Sequence, residues 1–163
     1  MSTAGIDAFI NFTNVKGESG DSAYKDWTAV RSFSLEVVNR VSHEKQGGGL
    51  GSGVVDVSGL AVDLLFDKSA ITLRQYIVKG THIKDVTLNV RRQGGKQENW
   101  YSLALTNAII ARSTLTYGDG FFFSSIIIAF QKHKESYFSQ EYGSGAKGAE
   151  VSYDWDSYAN TGG

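Results

Sequence analysis

The sequence predicts a mainly β, single-domain β-barrel (two packed antiparallel sheets) with one α-helix flanking it near residues 69–79. Two observations carry this expectation. Apolar and polar residues alternate with period two through most of the 163 residues. A single stretch, after Asp67, instead spaces its apolar residues as a helix does. Six or more strands around one helix fit a closed or nearly closed barrel.

The elements follow in order along the chain. Ile6, Ala8, Ile10 and Phe12 share one face of a first strand, with Asp7, Asn11 and Thr13 on the other. A turn-rich stretch, 17–25, comes next. In the second strand Phe33, Leu35 and Val37 oppose Ser32, Ser34 and Glu36, which gives one core face and one wet face. From Ser42 to Gly53 five glycines and several polar residues are read as a long protruding loop. Val55 and Val57, then Leu60, Val62, Leu64 and Phe66, resume the alternation, and their change of face near Ser58-Gly59 calls for a bulge.

The helix is capped by Ser69, carries Leu73, Tyr76 and Ile77 as its apolar stripe, leaves Ile71 and Val78 one position off, and ends at Gly80 in a left-handed cap. Strand patterns return at 83–92, 100–116, 121–137 and 150–158. Gln93-Gly94-Gly95-Lys96, Tyr117-Gly118-Asp119-Gly120 and Gly143-Ser144-Gly145 separate them. The last residues, Thr161-Gly162-Gly163, are expected to fray.

Composition excludes several functions. Sixteen Lys and Arg against seventeen Asp and Glu leave a net charge of -1, so no overall field attracts a polyanion and nucleic-acid binding is disfavoured. No stretch approaches the length of unbroken apolar sequence that a membrane helix needs, and residues 1–10 hold neither a basic residue nor an export-signal core. The expectation is a protein made in the cytoplasm, without membrane insertion, and exported, if at all, by a machine that reads the folded chain. Zero cysteines exclude disulfides, thiolate catalysis and Cys-ligated zinc.

Catalytic and metal patterns are weak throughout. His43, His82 and His133 are the histidines available for acid–base work. His82 with Asp85 falls short of the three or four ligands a metal site needs, so His82 is expected to hydrogen-bond locally at the strand start while Asp85 stays solvated. Gly51-Ser52-Gly53 lacks the spacing of a nucleophile elbow, and the glycine run lacks the Lys-Ser/Thr of a phosphate loop. Glu18, Asp21 and Asp26 sit between Lys16 and Lys25, where local ion pairing is expected. Asn11-Phe12-Thr13 matches a glycosylation acceptor but lies inside a strand pattern. No catalytic residue, metal or cofactor is assigned.

One segment asks for a partner. Phe121-Phe122-Phe123 and Ile126-Ile127-Ile128-Ala129-Phe130 are interrupted only by Ser124-Ser125, so both faces of that strand are apolar. Burying one large apolar side chain stabilises by about 1.5–3 kcal/mol, and leaving several exposed invites aggregation. Either the same barrel or a neighbouring subunit must cover the second face.

Several strings together resemble the hemolysin-coregulated protein family, the tube subunit of bacterial type VI secretion systems. They are Lys16-Gly17-Glu18-Ser19, Lys25-Asp26-Trp27, Gly47-Gly48-Gly49-Leu50-Gly51, Asp67-Lys68, Gly80-Thr81-His82-Ile83-Lys84, Arg91-Arg92 with Gly94-Gly95, and Trp155-Asp156 with Asn160. The likeness covers nearly the whole chain. It implies one tube-subunit domain over 1–163 that catalyses nothing, forms hexameric rings stacked into a hollow tube, and works with the spike protein, sheath and baseplate of the secretion machine. It also implies effector proteins held in the ring and export by that machine. On this resemblance the segment of Ser42, Gly47, Gly48, Gly49, Leu50 and Gly51 is the candidate ring-stacking loop. Ser32, Ser34 and Glu36 are the candidate lumen lining. Phe121, Phe123, Ile126 and Ile128 are the candidate subunit interface. Basic Lys84, Arg91, Arg92 and Lys96 and acidic Glu150, Asp154 and Asp156 are a candidate complementary pair of patches.

The chain departs from the family at Ala70, where many members have proline, and at Leu35-Glu36, where members often carry an aromatic and a glycine. Alternatives are a monomeric β-barrel that stacks a small ligand or glycan on Trp27, Trp100 or Trp155, and a small hydrolase built around His82.

Overall fold

The computed structural model describes residues 7–43, 50–92, 98–140, 143–144 and 146–163. Its elements are β1 (Ala8–Phe12), β2 (Thr28–His43), β3 (Leu50–Leu65), α1 (Lys68–Lys79), β4 (Ile83–Arg91), β5 (Asn99–Gly118), β6 (Phe121–Gln140), β7 (Lys147–Asp156) and β8 (Thr161–Gly162). The strands form one sheet in the order β3-β2-β1-β4-β5-β6-β7-β8, antiparallel throughout, and an additional β3–β6 ladder closes it on itself. Two opposed faces of the closed part pack as a barrel. Closure removes edges that would otherwise template aggregation.

β6 makes the closure by dividing one of its edges. Phe123–Ile128 pair with Leu60–Leu65 of β3, while positions from Lys132 to Gln140 pair with β7. The core lies inside this ring. Ile10, Leu60, Val62, Leu64, Leu73, Val86, Leu88, Leu103, Leu105, Ile110, Ile126 and Ile128 form one buried cluster. The alternating faces expected for β2 and β3 are present as far as Phe33 and Leu35, which pack against that cluster, but Val37, expected on the same core face, lies past a register shift and is exposed.

The expected bulge is present at Ser58-Gly59. Leu35 pairs with Leu60 but Val37 pairs with Val57, so two steps on β2 span three on β3. Gly59 takes φ +111, and a Cβ there would lie 2.9 Å from the Ile128 carbonyl oxygen. A second change of face was not legible in the sequence. Leu103 and Leu105 are buried, and so are Ala108 and Ile110, with Asn107 between them at φ +54. β6 shifts in step, from Ile126 and Ile128 to His133. A left-handed residue re-aims the alternation without breaking the ladder.

The helix begins one residue earlier than expected, and Asp67 caps it in place of Ser69. Asp67 Oδ1 accepts from the Ser69 backbone N–H (2.8 Å) and from the Ser69 hydroxyl. Gly80 closes the helix at φ +65, as the sequence predicts. Leu73 enters the core, whereas Ile71 and Val78 face outward. At the chain end Thr161–Gly162 pair with Trp155–Asp156, so this tail is a strand and not a frayed end. Asp154 and Gly163 exchange backbone hydrogen bonds of 3.0 and 3.1 Å, which holds it there.

The strings Lys16–Ser19, Lys25–Trp27, Asp67-Lys68 and Arg91 meet in space. The Glu18 N–H donates to Asp67 Oδ2 (3.0 Å), and the Glu18 carboxylate accepts from the Lys68 N–H (2.9 Å) at the positive end of the helix. Gly17 permits this approach, because a Cβ there would lie 2.8 Å from Asp67 Oδ2. The Gly17 N–H donates to the Asp26 carbonyl (2.7 Å), and Asp26 sits at φ +65. Arg91 is 8% exposed, donates to Asp21 (2.6 Å), lies 3.8 Å from Asp7 and stacks over Phe9 and Tyr24. The ion pairing expected between Lys16, Lys25 and the nearby carboxylates is therefore corrected. Among the described residues Arg91 takes Asp21, a helix end takes Glu18, and neither lysine forms an ion pair. The turn-rich stretch also covers the outer face of β1, which explains why Phe9 is buried although it lies on the same face as Asp7 and Asn11.

Gly59→Ala forces a side chain into a left-handed bulge against Ile128, and its urea midpoint is expected to fall by the equivalent of about 2 kcal/mol. An unchanged midpoint would refute the need for that conformation. Arg91→Ala leaves Asp21 and Asp7 without their cation, and calorimetry is expected to show a loss of about 3 kcal/mol near neutral pH. The hydrogen bond from Arg91 holds the Asp21 carboxyl below the usual aspartate range. Its contribution is complete above the ordinary aspartate pKa and fades as the pH falls through the lower folded value, so the variant and the unaltered chain converge in acid.

Candidate assembly surfaces

The residues weighed for catalysis are scattered. His82 is exposed and its Nδ1 lies 3.2 Å from Asn107 Oδ1, a partner across to β5 and not the local one expected. Asn107 continues to Gln131 (3.1 Å), and Gln131 to Asp156 (3.3 Å), so the chain of polar groups ties strands together. Among the described residues no three His, Asp or Glu side chains converge as metal ligands. Trp27 packs edge-on against Tyr24, and Arg92 lies over Trp100. No helix among the described residues is long and apolar enough to cross a membrane.

Three surfaces remain. The first is the outer face of β2, β3 and β6. Ser32, Ser34 and Glu36 are all exposed there. Asp63, paired with Ser32, accepts from the hydroxyls of Ser32 (3.0 Å) and Ser125 (2.5 Å). A bulge at Arg31 between the Val30–Leu64 and Ser32–Asp63 pairs turns the Arg31 guanidinium over the Phe123 ring at 5.1 Å. Arg31, Ser32, Asp63, Phe123 and Ser125 line an open groove of about 410 Å³. Small hydroxyls around one carboxylate make a polar and weakly charged surface. Asp63 and Ser125 were missed in the sequence because only the β3–β6 ladder brings them beside Ser32.

The second surface is aromatic. Phe121 is 64% exposed, and Tyr117, Phe122 and Phe123 are exposed with it. Phe66 stacks on Phe122 at 4.6 Å and Tyr117 tilts against it at 5.1 Å. Of the candidate interface residues, Phe121 and Phe123 are open to a second chain. Ile126 and Ile128 are corrected: at 2% and 0% exposure they fill this barrel's own core. The strand is apolar on both faces for two different reasons along its length.

The third surface is the outer half of the β2–β3 hairpin. Here the structure shortens the expected loop, since Ser42 pairs with Gly51 and His43 with Leu50 as strand residues. Gly47, Gly48 and Gly49 lie outside the described residues. Gly53 is also in the ladder, close against the Arg40 carbonyl, and its N–H donates to Asn39 (3.0 Å). Val37, Val38, Val41 and Val54 are exposed on this arm. The Leu50 end of this arm and the aromatic patch stand at opposite ends of β3, whose 16 residues span up to about 50 Å at ~3.3 Å per residue. The proposed basic patch also needs correction, because Arg91 is buried against Asp21 and cannot reach another molecule. Lys96 lies outside the described residues, while Lys84, Glu150 and Asp154 are exposed.

Comparison with known proteins agrees with this architecture. The family described as "Type VI secretion system effector, Hcp" matches residues 9–137. The chain is similar to protein hcp1 of Pseudomonas aeruginosa, at 27% identity over 93% of this chain and 94% of that one. Among solved structures it resembles a type six secretion system protein, with a TM-score of 0.88 and 23% identity over 97% of this chain and 99% of the other. It also resembles Hcp1 from Salmonella typhimurium, with a TM-score of 0.78 and 21% identity over 96% and 97% of the two chains. A barrel closed by β3–β6, a long β2–β3 arm and a family match across most of the length lead to one conclusion: the chain belongs to the Hcp family of type VI secretion, whose members are structural secreted tube proteins and not enzymes.

Proposed function

We propose that this chain forms homo-hexameric rings that stack into a hollow tube and hold effector proteins inside. In that reading it works with the spike, sheath and baseplate of the secretion machine and leaves the cell through it. The observation that carries the reading is the pair of apolar surfaces at opposite ends of β3, aromatic at one end and valine-rich at the other. Two different patches on one subunit favour head-to-tail contact. Such contact closes rings or extends filaments without any large charge or cofactor.

Within this reading the Phe121–Phe123 end belongs to a subunit contact, and the arm that carries Ser42, Leu50 and Gly51 reaches the next ring. The Ser32, Ser34, Glu36 and Asp63 face lines the lumen. A hydroxyl-rich lining suits transient holding, because an apolar one would retain its passenger. The monomeric ligand-binding alternative draws no support from the tryptophans, since Trp27 and Trp155 are partly buried and Trp100 is covered by Arg92.

Negative-stain electron microscopy of the purified protein tests the proposal. Six-fold hollow rings, single or stacked, are expected, and compact particles without a hole would overturn it. Phe121→Glu is expected to shift the population toward monomer by tenfold or more at equal concentration, the effect of about 1.4 kcal/mol, with the melting temperature of the monomer unchanged. Ser34→Arg is expected to preserve rings and reduce co-purifying effector. Equal retention would remove β2 from the lumen.

A further inference from the structure

His133 is the least exposed ionisable side chain of β6, at 2%. It stands opposite Leu105 on β5 and Trp155 on β7, and packs edge-to-face against Phe130 and Tyr153. Its Nε2 lies 3.1 Å from the Tyr153 hydroxyl oxygen. Two phenols converge on the next inward carboxylate: Tyr101 donates to Glu135 Oε2 (2.6 Å), and Tyr153 donates to Glu135 Oε1.

The proton count fixes the tautomer. Each phenol has one proton, and Tyr153 gives its own to Glu135. Its oxygen can then only accept from His133, so Nε2 carries the hydrogen and Nδ1 keeps the lone pair. Among the described residues Nδ1 is buried with no hydrogen-bond partner. A proton added there would create an N–H with nothing to receive it, in a place water does not reach.

The charges around the ring are mixed. Glu135 on β6 and Asp154 on β7 favour an imidazolium, but Glu135 is already engaged by both tyrosines. Lys132 and Lys134 flank His133 on the opposite face, Lys132 is 3.6 Å from Asp156, and Lys134 pairs across the ladder with Asp154. β5 presents Leu105 and the Tyr101 phenol, and β8 presents no ionisable side chain. Desolvation outweighs the carboxylates and holds the His133 pKa below the ordinary imidazole value.

We propose that His133 is an acid-sensitive latch: a proton on Nδ1, which the docked hairpin leaves without an acceptor, favours the open state, in which His133 parts from Tyr153 and the β7–β8 hairpin leaves β6 while the closed barrel stays folded. The physical reason is location. The β6–β7 ladder lies outside the β3–β6 closure, so it can open without parting the barrel wall. Because the folded pKa is depressed, the hairpin's docking is complete above the ordinary histidine pKa. It weakens as the pH falls from there through the folded value, since the open state binds the proton more tightly. This latch does not depend on the assembly proposed above.

The test is hydrogen–deuterium exchange of the full chain at about pH 7.5 and about pH 5, corrected for intrinsic exchange, with an NMR titration of the histidine rings. The expected result is that β7 protection falls about tenfold or more in acid, while β1, β4 and the β3–β6 ladder keep theirs. His133 is expected to show the Nε2–H tautomer and a midpoint below the ordinary imidazole value. In His133→Gln, which can still donate to Tyr153 but does not titrate, the acid-induced loss should vanish. An ordinary His133 midpoint, an equal loss in His133→Gln, or a loss spread evenly over all strands would overturn the proposal. The ring titration of the unaltered chain decides the matter even where the variant does not fold.

Discussion

The ladder between Leu60–Leu65 and Phe123–Ile128 is the contact on which the rest of the molecule depends. It joins the first and last strands of the barrel wall, so every inward-facing side chain between them is enclosed only when it forms. Leu60 and Ile128, opposite each other and fully buried, are the centre of that closure. Burial of each stabilises by about 1.5–3 kcal/mol, but only if β3 arrives with Leu60 pointing inward. The bulge at Ser58-Gly59 supplies that phase, and Gly59 supplies the left-handed backbone the bulge requires.

A second tie joins three segments. The Lys16–Trp27 segment, the start of α1 and the end of β4 are far apart in sequence. Asp67, Glu18 and Arg91 each satisfy groups from a different element. These residues carry much of the likeness to the family, and their chemistry is structural. A carboxylate at a helix N-terminus and a buried guanidinium between two carboxylates hold loops in place; they perform no reaction.

With the interior settled in this way, the surface divides by position along β3. Polar residues occupy the middle of the outer face, aromatic residues the end near Phe66, and valines the arm near Leu50. The same strand therefore builds the core on one side and separates the candidate assembly surfaces on the other. The β7–β8 hairpin hangs on β6 beyond the closed ring, which lets a single buried histidine govern it locally.

Period-two alternation, the helix with its Gly80 cap, the bulge at Ser58-Gly59 and the family likeness were legible in the sequence, because each depends on residues close together in the chain. Ser69 was misread as the cap because Asp67 and Ser69 are both good caps, and the choice between them is made by Glu18 from fifty residues away. Ser42 and Gly51 looked like loop because glycine disfavours strands, yet cross-strand pairing overrides that local preference. Ile126 and Ile128 could not be told from Phe121 and Phe123, since an apolar run does not say which part of it another strand will cover. The class of fold, the turns and the family follow from local pattern and are readable in the chain alone. Which apolar residues stay exposed, what Arg91 pairs with and where the proton on His133 sits depend on which distant strands become neighbours, so they emerge only in the folded molecule.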